Sequence, residues 1–304
     1  MKLNGHIGFI GLGAMGTGMA STLLAKGSRV VAHDAKPEVR ASWEERGGTW
    51  ASTPAEAARG ASALVIMVVN AEQVESVLFG PDGAVAALPA GSVVIVTSTV
   101  PASFNESLAK RLAGTGHLML DAPVSGGVAA AKTGSLSIMA SGTPESFAAS
   151  EGVLSALATN IFRVGDRPGM GSVVKTVNQL LAGAHIALAA EAVAFGAKAG
   201  VDTRMLYDVI THCAGNSWMF TNRVPHMLDN DYRPLSAVNI FVKDLGIVLD
   251  SAREMNFPTP MASLAHQLFV MAAASGNAQL DDSSVVKIYE QNGNTRVAAP
   301  RQTA

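Results

Sequence analysis

Lys175, Asn178 and Gln179 offer the most chemistry in this chain of 304 residues. They stand in GMGSVVKTVNQLLAGAHIALAAEAVAFGAKAG, residues 169–200, a stretch otherwise apolar and rich in alanine. Spacings of three and four bring them to one face of one helical turn. An amine in apolar surroundings is a proton carrier. A free lysine titrates near ~10.4, and desolvation or a nearby cation such as Lys243 lowers it toward a working range. The amides beside it orient a substrate. The alternative is an ordinary helical lysine without chemistry, and Lys243 is likewise either an ion-pair residue or an anion contact.

The N-terminal end carries a different chemistry. Residues 6–10 read as a short apolar strand. It runs into Gly11-Leu12-Gly13-Ala14-Met15-Gly16 and then a helical pattern stopped by Gly27. This is the G-x-G-x-x-G fingerprint in its required setting, between strand and helix. Each glycine answers a separate need: a tight turn, close approach of a pyrophosphate, and close packing of helix on strand. The helix N-terminus then offers N–H groups and partial positive charge to phosphates. The next apolar run, residues 28–33, ends at Asp34, eighteen residues after Gly16 and near the ~20-residue spacing of a ribose-binding acid. A carboxylate there accepts from ribose hydroxyls and repels a 2′-phosphate, which favours NAD over NADP. Lys36 and Arg40 lie close enough to soften that discrimination, and the alternative is a solvated turn aspartate in DAKPE.

Alternating elements must carry these residues. Residues 37–46 read as a helix, 63–69 as a buried strand ending at Asn70, 73–79 as a short helix, and 92–97 as a strand closing in Ser98 and Thr99. Strand–helix alternation gives right-handed crossovers and a parallel sheet covered on both faces. Ligands then sit at the C-terminal strand ends, where Asn70, Ser98 and Thr99 are either cofactor contacts or ordinary turn residues. Residues 118–124, LMLDAPV, form a further strand that delivers Ser125, Gly126 and Gly127 to the same edge. That triplet is a cradle for a carboxylate or merely a strand-end turn. Residues 135–141 and 161–164 finish the sheet.

From residue 169 onward helices dominate. The rod at 169–200 would be ~45 Å long. Helices follow at 203–214, 236–255, 258–275 and 281–289, with a compact aromatic turn at 216–220 and a frayed tail after Asn292. Phe241, Leu245 and Val248 repeat at helical spacing. On the rod, Ala182, Gly183, Ala187 and Ala190 permit close packing by other helices, including those of a second subunit. The expected division is a dinucleotide-binding unit at 1–165 and an all-helical unit at 166–304.

Composition bounds the partners. Hydrophobic residues make up 48% and charged ones 15%, a packed globular balance. A net charge of −2 without a basic stripe argues against nucleic acid. The single cysteine, Cys213, excludes an internal disulfide and fits a reducing cytoplasm. No Cys/His spacing suggests a metal site. The first residues make a poor signal peptide. The one membrane candidate, residues 180–197, contains His185 and Glu191, both costly in lipid, and reads better as a core helix.

Four ordered motifs, GFIGLGAMG at 8–16, DAPVSGG at 121–127, GMGSVVKTVNQ at 169–179 and KDLG at 243–246, resemble the β-hydroxyacid dehydrogenases. These are the relatives of 3-hydroxyisobutyrate dehydrogenase and tartronate semialdehyde reductase. The resemblance covers nearly the whole chain. It implies an α/β protein with an N-terminal Rossmann domain, a doubly wound and mainly parallel sheet. A long interdomain helix would lead to an all-α C-terminal domain that forms a homodimer or homotetramer. It implies Lys175 as the catalytic lysine, Asn178 as a substrate ligand, and Ser125, Gly126 and Gly127 as holders of the substrate carboxylate. Lys243 would lie near cofactor and substrate, with Val68, Val69, Asn70 and Thr99 lining the cofactor. The chain departs from the family pattern at Asn178-Gln179, often Asn-Asn, and at Val68-Val69, often Leu-Pro.

NSWMF at 216–220, NRVPHML at 222–228 and NIFVKDLGIVLD at 239–250 look like the L-threonate dehydrogenase branch, which oxidises the 2-hydroxyl of a four-carbon sugar acid to 2-oxo-tetronate with NAD. Rival readings are a reductase of the 3-hydroxyisobutyrate or tartronate semialdehyde type and a non-catalytic NAD-binding module. A hydrolase has little support, since no G-x-S-x-G elbow occurs.

Overall fold

A computed structural model of the chain describes residues 5–298. Two compact units emerge, Met1–Lys175 and Thr176–Ala304.

The first unit is built on strands β1 (His6–Ile10), β2 (Val30–His33), β3 (Thr49–Trp50), β4 (Ala61–Ile66), β5 (Val93–Val96) and β6 (Leu118–Asp121). They pair in parallel in the order β3-β2-β1-β4-β5-β6. β5 is wholly valine and isoleucine, and β4 closes in Leu64, Val65 and Ile66, because both of their faces are covered. Successive side chains go to opposite faces. Ile7, Phe9, Ala63, Val65, Val93 and Ile95 join a core with α1 (Ala14–Ala25). Ile10, Leu64, Ile66, Val94 and Val96 join another with α4 (Ala71–Phe79) and α5 (Ala102–Gly114), α2 (Arg40–Glu45) and α3 (Pro54–Ala58) lying between α1 and α4 in the chain. The strand order reverses between β1 and β4, which opens a crevice at their carboxyl ends.

The stretch 118–124, expected as one strand, is two. β6 stops at Asp121, and β7 (Val124–Ser125) begins after Pro123, which has no N–H to give a ladder. The Pro123 carbonyl accepts from Met139 N–H at 3.0 Å. After α6 (Gly127–Thr133) the chain reverses. β8 (Leu136–Gly142) runs antiparallel to both β6 and β7, and beyond α7 (Pro144–Leu157) β9 (Ala158–Gly165) pairs with β8 in parallel.

α8 (Met170–Lys198) is the expected long rod. By length and composition it passes for a membrane span, yet half of its most apolar window is buried inside the protein. The second unit holds the rest of α8, then α9 (Thr203–Thr211), α10 (Trp218–Asp229), α11 (Val238–Glu254), α12 (Pro260–Ala272) and α13 (Val286–Gly293), and none of its described residues forms a strand. Phe241, Leu245 and Val248 are buried as the spacing predicts, and Phe241 stacks on Phe269 at 5.1 Å. Two expectations are corrected here, the aromatic turn and the frayed tail, and the close packing on α8 is found. The aromatic turn at 216–220 is a helix start, because the Ser217 hydroxyl caps the Phe220 N–H. The small residues of α8 are already covered within this unit, where a Cβ on Gly183 would stand 2.9 Å from Leu245. The tail is not frayed up to residue 298: Val297 is buried, with its N–H on Glu290 and its carbonyl on Thr203. Residues 299–304 of that tail lie outside the described residues.

The polar knot of this unit is Asp282, fully buried and gripped by Arg223 through Nε at 2.6 Å and Nη2 at 3.1 Å. Removing one partner of a buried pair strands the other charge, at a cost of ~3–5 kcal/mol. Asp282→Ala is therefore expected to lower the urea midpoint by that equivalent. The double change Arg223→Met, Asp282→Leu should recover most of it.

Candidate functional site

The three fingerprint glycines are required for three different reasons. Gly11 takes φ of +98°, and a Cβ there would lie 2.2 Å from the Met67 carbonyl. Gly16 sits so close beneath the loop that its Cβ would lie 1.9 Å from the Gly11 carbonyl. Gly13 alone faces open space, with nothing within 4 Å of a Cβ. It is also the residue before α1, which has no side-chain cap and no acidic residue in its first turn. Its free N–H groups and the bare Gly13 fit a pyrophosphate that must approach the backbone. Leu12, Ala14 and Met15 complete the loop.

Asp34, at the end of β2, accepts from Leu12 N–H at 2.6 Å and Lys36 N–H at 2.8 Å. One loop donor thus holds the carboxylate beside the glycine turn. A carboxylate has about four acceptor positions, so capacity remains for two ribose hydroxyls. At the ends of β4 and β5, Val68 N–H bonds the buried Ser98 hydroxyl at 2.9 Å. Val69 is half exposed, and its N–H bonds Gln73. Asn70 Oδ1 caps the Gln73 N–H, so part of this side chain is committed to starting α4. Thr99 follows Ser98 at the same end of β5. Ser125 ends β7, and Gly126 and Gly127 follow it with φ of +125° and +70°. Gly126 leaves no room for a side chain, since a Cβ would meet Ala130 at 2.6 Å.

Lys175 is buried in the second turn of α8. What fixes that turn is Asp121, a residue that the sequence places in a strand and in the DAPVSGG motif without a role of its own. Its carboxylate is wholly buried and receives five donors: Gly169 N–H at 2.9 Å, Ser172 N–H at 2.8 Å, Ser172 Oγ at 2.9 Å, Asn105 Nδ2 at 2.9 Å and Ser141 Oγ at 3.3 Å. Burial pushes the Asp121 carboxyl above the ordinary carboxylate range, against the pull of the Ser172, Gly169 and Asn105 bonds. These contacts explain why the first turn of α8 belongs to the sheet unit, beyond the division expected at 165/166.

In the helical unit, Asn178 and Lys243 are joined by two residues. Asn178 Nδ2 donates to Gln179 Oε1 at 3.0 Å, and Gln179 Nε2 donates to Asp244 Oδ2 at 2.5 Å. The Lys243 ammonium lies 2.6 Å from Asp244 Oδ1, an ion contact off hydrogen-bond alignment. Gln179 and Asp244 are both buried. In sequence Asp244 stands in the KDLG motif without an assigned role; its apolar neighbours Phe241, Leu245 and Val248 are the signal that places it toward the core. Among the described residues, no group of three or more His, Cys, Asp or Glu gathers as metal ligands do.

Comparison with known proteins places this geometry. Residues 6–165 match the family model for the NAD binding domain of 6-phosphogluconate dehydrogenase. Residues 169–289 match that for the NAD-binding region of NADP-dependent 3-hydroxyisobutyrate dehydrogenase. An L-threonate dehydrogenase of Cupriavidus necator is 54% identical over 284 residues, 93% of this chain and 96% of the relative. The mitochondrial 3-hydroxyisobutyrate dehydrogenase of Mus musculus is 34% identical over 94% of this chain and 87% of its own. A crystal structure described as 3-hydroxyisobutyrate dehydrogenase from Salmonella typhimurium superposes with a TM-score of 0.89 at 47% identity, covering 93% of this chain and 99% of that one.

The different settings of the glycines separate binding from folding. Gly13→Ala is expected to keep the melting temperature while weakening NADH binding at least about tenfold, a loss of ~1.4 kcal/mol. Gly16→Ala should lower the melting temperature itself. Thermal melts and NADH fluorescence titrations check the pair.

Proposed function

The chain belongs to the 3-hydroxyisobutyrate dehydrogenase-like family of hydroxyacid dehydrogenases, and from that premise we propose that it oxidises the 2-hydroxyl of L-threonate to 2-oxo-tetronate with NAD. The observation that carries the substrate is the 54% identity, over 93% of the chain, with an L-threonate dehydrogenase. Asp34 supports NAD over NADP, since a 2′-phosphate would meet a carboxylate already fixed by two backbone N–H groups.

The residues divide the work as follows. The Gly11–Gly16 loop and the N–H groups of α1 hold the pyrophosphate, and Val68, Val69, Asn70 and Thr99 line the rest of the cofactor. A bound nicotinamide supplies the hydride acceptor. Ser125, Gly126 and Gly127 fix the substrate carboxylate, with Lys243 adding positive charge. Asn178 orients the substrate, and Lys175 Nζ takes the proton of the reacting hydroxyl. Burial of Lys175 supports this role, because an ordinary helical lysine keeps its ammonium in water. A single Cys213 fits a reducing cytoplasm as the place of action.

Assembly follows from α8. Val177, Leu181, Leu188 and Phe195 are exposed, Phe195 to 76%. Large apolar side chains along one helix mark an interaction surface, and a homodimer or homotetramer covers them. Leu188→Asp with Phe195→Asp is expected to give a smaller species by light scattering on a sizing column.

Lys175→Ala tests the chemistry. Turnover should fall by roughly 10²–10⁴ while NADH binding stays within a few-fold. Near-normal turnover would remove Lys175 from the mechanism. Initial rates on L-threonate, D-erythronate, glycerate and 3-hydroxyisobutyrate test the substrate, since the Salmonella structure carries the last of these in its name. A preference for 3-hydroxyisobutyrate would replace the L-threonate reading.

A further inference from the structure

We propose that Gln179 and Asp244 are specificity-determining positioning residues, a relay that fixes Asn178 as a hydrogen-bond acceptor for a second hydroxyl on the substrate. This rests on the reading of the chain as a sugar-acid dehydrogenase and names what that site selects.

The direction of the relay follows from what each group is able to do. A carboxylate only accepts, whereas an amide has one accepting and one donating end. Asp244 Oδ2 must therefore receive the Gln179 amide through its nitrogen, which occurs at 2.5 Å. That choice turns Gln179 Oε1 toward Asn178, and Asn178 must answer with its own nitrogen, which occurs at 3.0 Å. The consequence is that Asn178 turns Oδ1, and not its amide nitrogen, away from the relay. Asp244 and Gln179 are buried and Asn178 is half-buried, so the chain runs from the interior of the helical unit outward. Lys243, 2.6 Å from the other Asp244 oxygen, balances the charge at the inner end. Reversing Asn178 alone would set two carbonyl oxygens against each other and leave a buried acceptor without its donor, a cost of ~1–3 kcal/mol.

An acceptor presented in this way rewards a substrate that brings a hydroxyl next to the reacting carbinol. Chemically that is a polyhydroxy acid, and an acid with hydrogen or alkyl at the adjacent carbon leaves the acceptor unpaired. A site built to pair a substrate hydroxyl rejects the analogue lacking it more strongly than an apolar pocket rejects a change of size.

The experiment compares kcat/KM on L-threonate and on 2,4-dihydroxybutyrate, which lacks only the hydroxyl on carbon 3, in wild type, Gln179→Leu and Asp244→Asn. The Leu variant removes the relay, and the Asn variant gives its inner end a donor, so the direction is no longer imposed. Wild type should favour L-threonate by at least about tenfold, the worth of one such bond. Both variants should bring the ratio to within about threefold, the loss falling on KM for L-threonate. An unchanged ratio in both, or an equal fall on both acids, overturns the relay and leaves these residues as packing. Should Gln179→Leu fail to fold, as judged by its melt and NADH titration, Asp244→Asn decides. Wild-type preference for another polyhydroxy acid over its deoxy partner would sink the L-threonate reading and support the relay. Preference for the deoxy acid overturns the relay itself.

Discussion

The bond network of Asp121 is the constraint on which the sheet unit depends. A carboxylate buried without partners is among the most costly groups a protein contains, so its position is dictated by where donors are found. Here they come from three elements besides its own: Asn105 on α5, Ser141 on β8, and the Gly169–Ser172 turn that begins α8. A negative charge at a helix N-terminus is favourable in its own right. One side chain therefore sets where α8 starts and about which axis it is rotated. Lys175 comes three residues after Ser172, less than one turn on, and inherits that setting.

The same device recurs with different emphasis. Asp34 is held by the backbone of the glycine loop and keeps acceptor capacity outward. Asp282 is closed off by Arg223 in the interior of the helical unit. Asp244 stands between the two, with an amide on one oxygen and an ammonium on the other. Four carboxylates thus organise a helix start, a glycine loop, a core and an amide chain. In each case the partners decide what the aspartate does.

Much of this was legible in the residues, and the boundary of legibility has a physical cause. The glycine loop, Asp34 and the strands around them depend on local geometry and on spacing, so the fingerprint announces them. The rod at 169–200 follows from its alanine content and lack of proline, and the buried stripe of α11 from periodicity. Asp121 was visible as a letter in DAPV but not as a helix cap, because its donors lie 48 and 51 residues away. Gln179 and Asp244 lie 65 residues apart, and only the folded unit brings them together. α5 and α7 went unassigned beside the more apolar strands, their sequences ASFNESLAKRLAG and PESFAASEGVLSAL mixing small and polar residues. The anchoring of Val297 was likewise invisible, since its partner Thr203 is 94 residues away.

The uncapped start of α1 has a consequence for the lifetime of the protein. Its first turn has neither a side-chain cap nor an acidic residue of its own, so a ligand supplies what the sequence withholds. Anything that binds only the folded form raises its stability with the logarithm of its concentration, by about 2.7 kcal/mol at a hundredfold excess over Kd. The nucleotide pool of the cell then acts on abundance as well as on turnover: a chain starved of dinucleotide opens more often and meets proteases sooner, and a replete one persists.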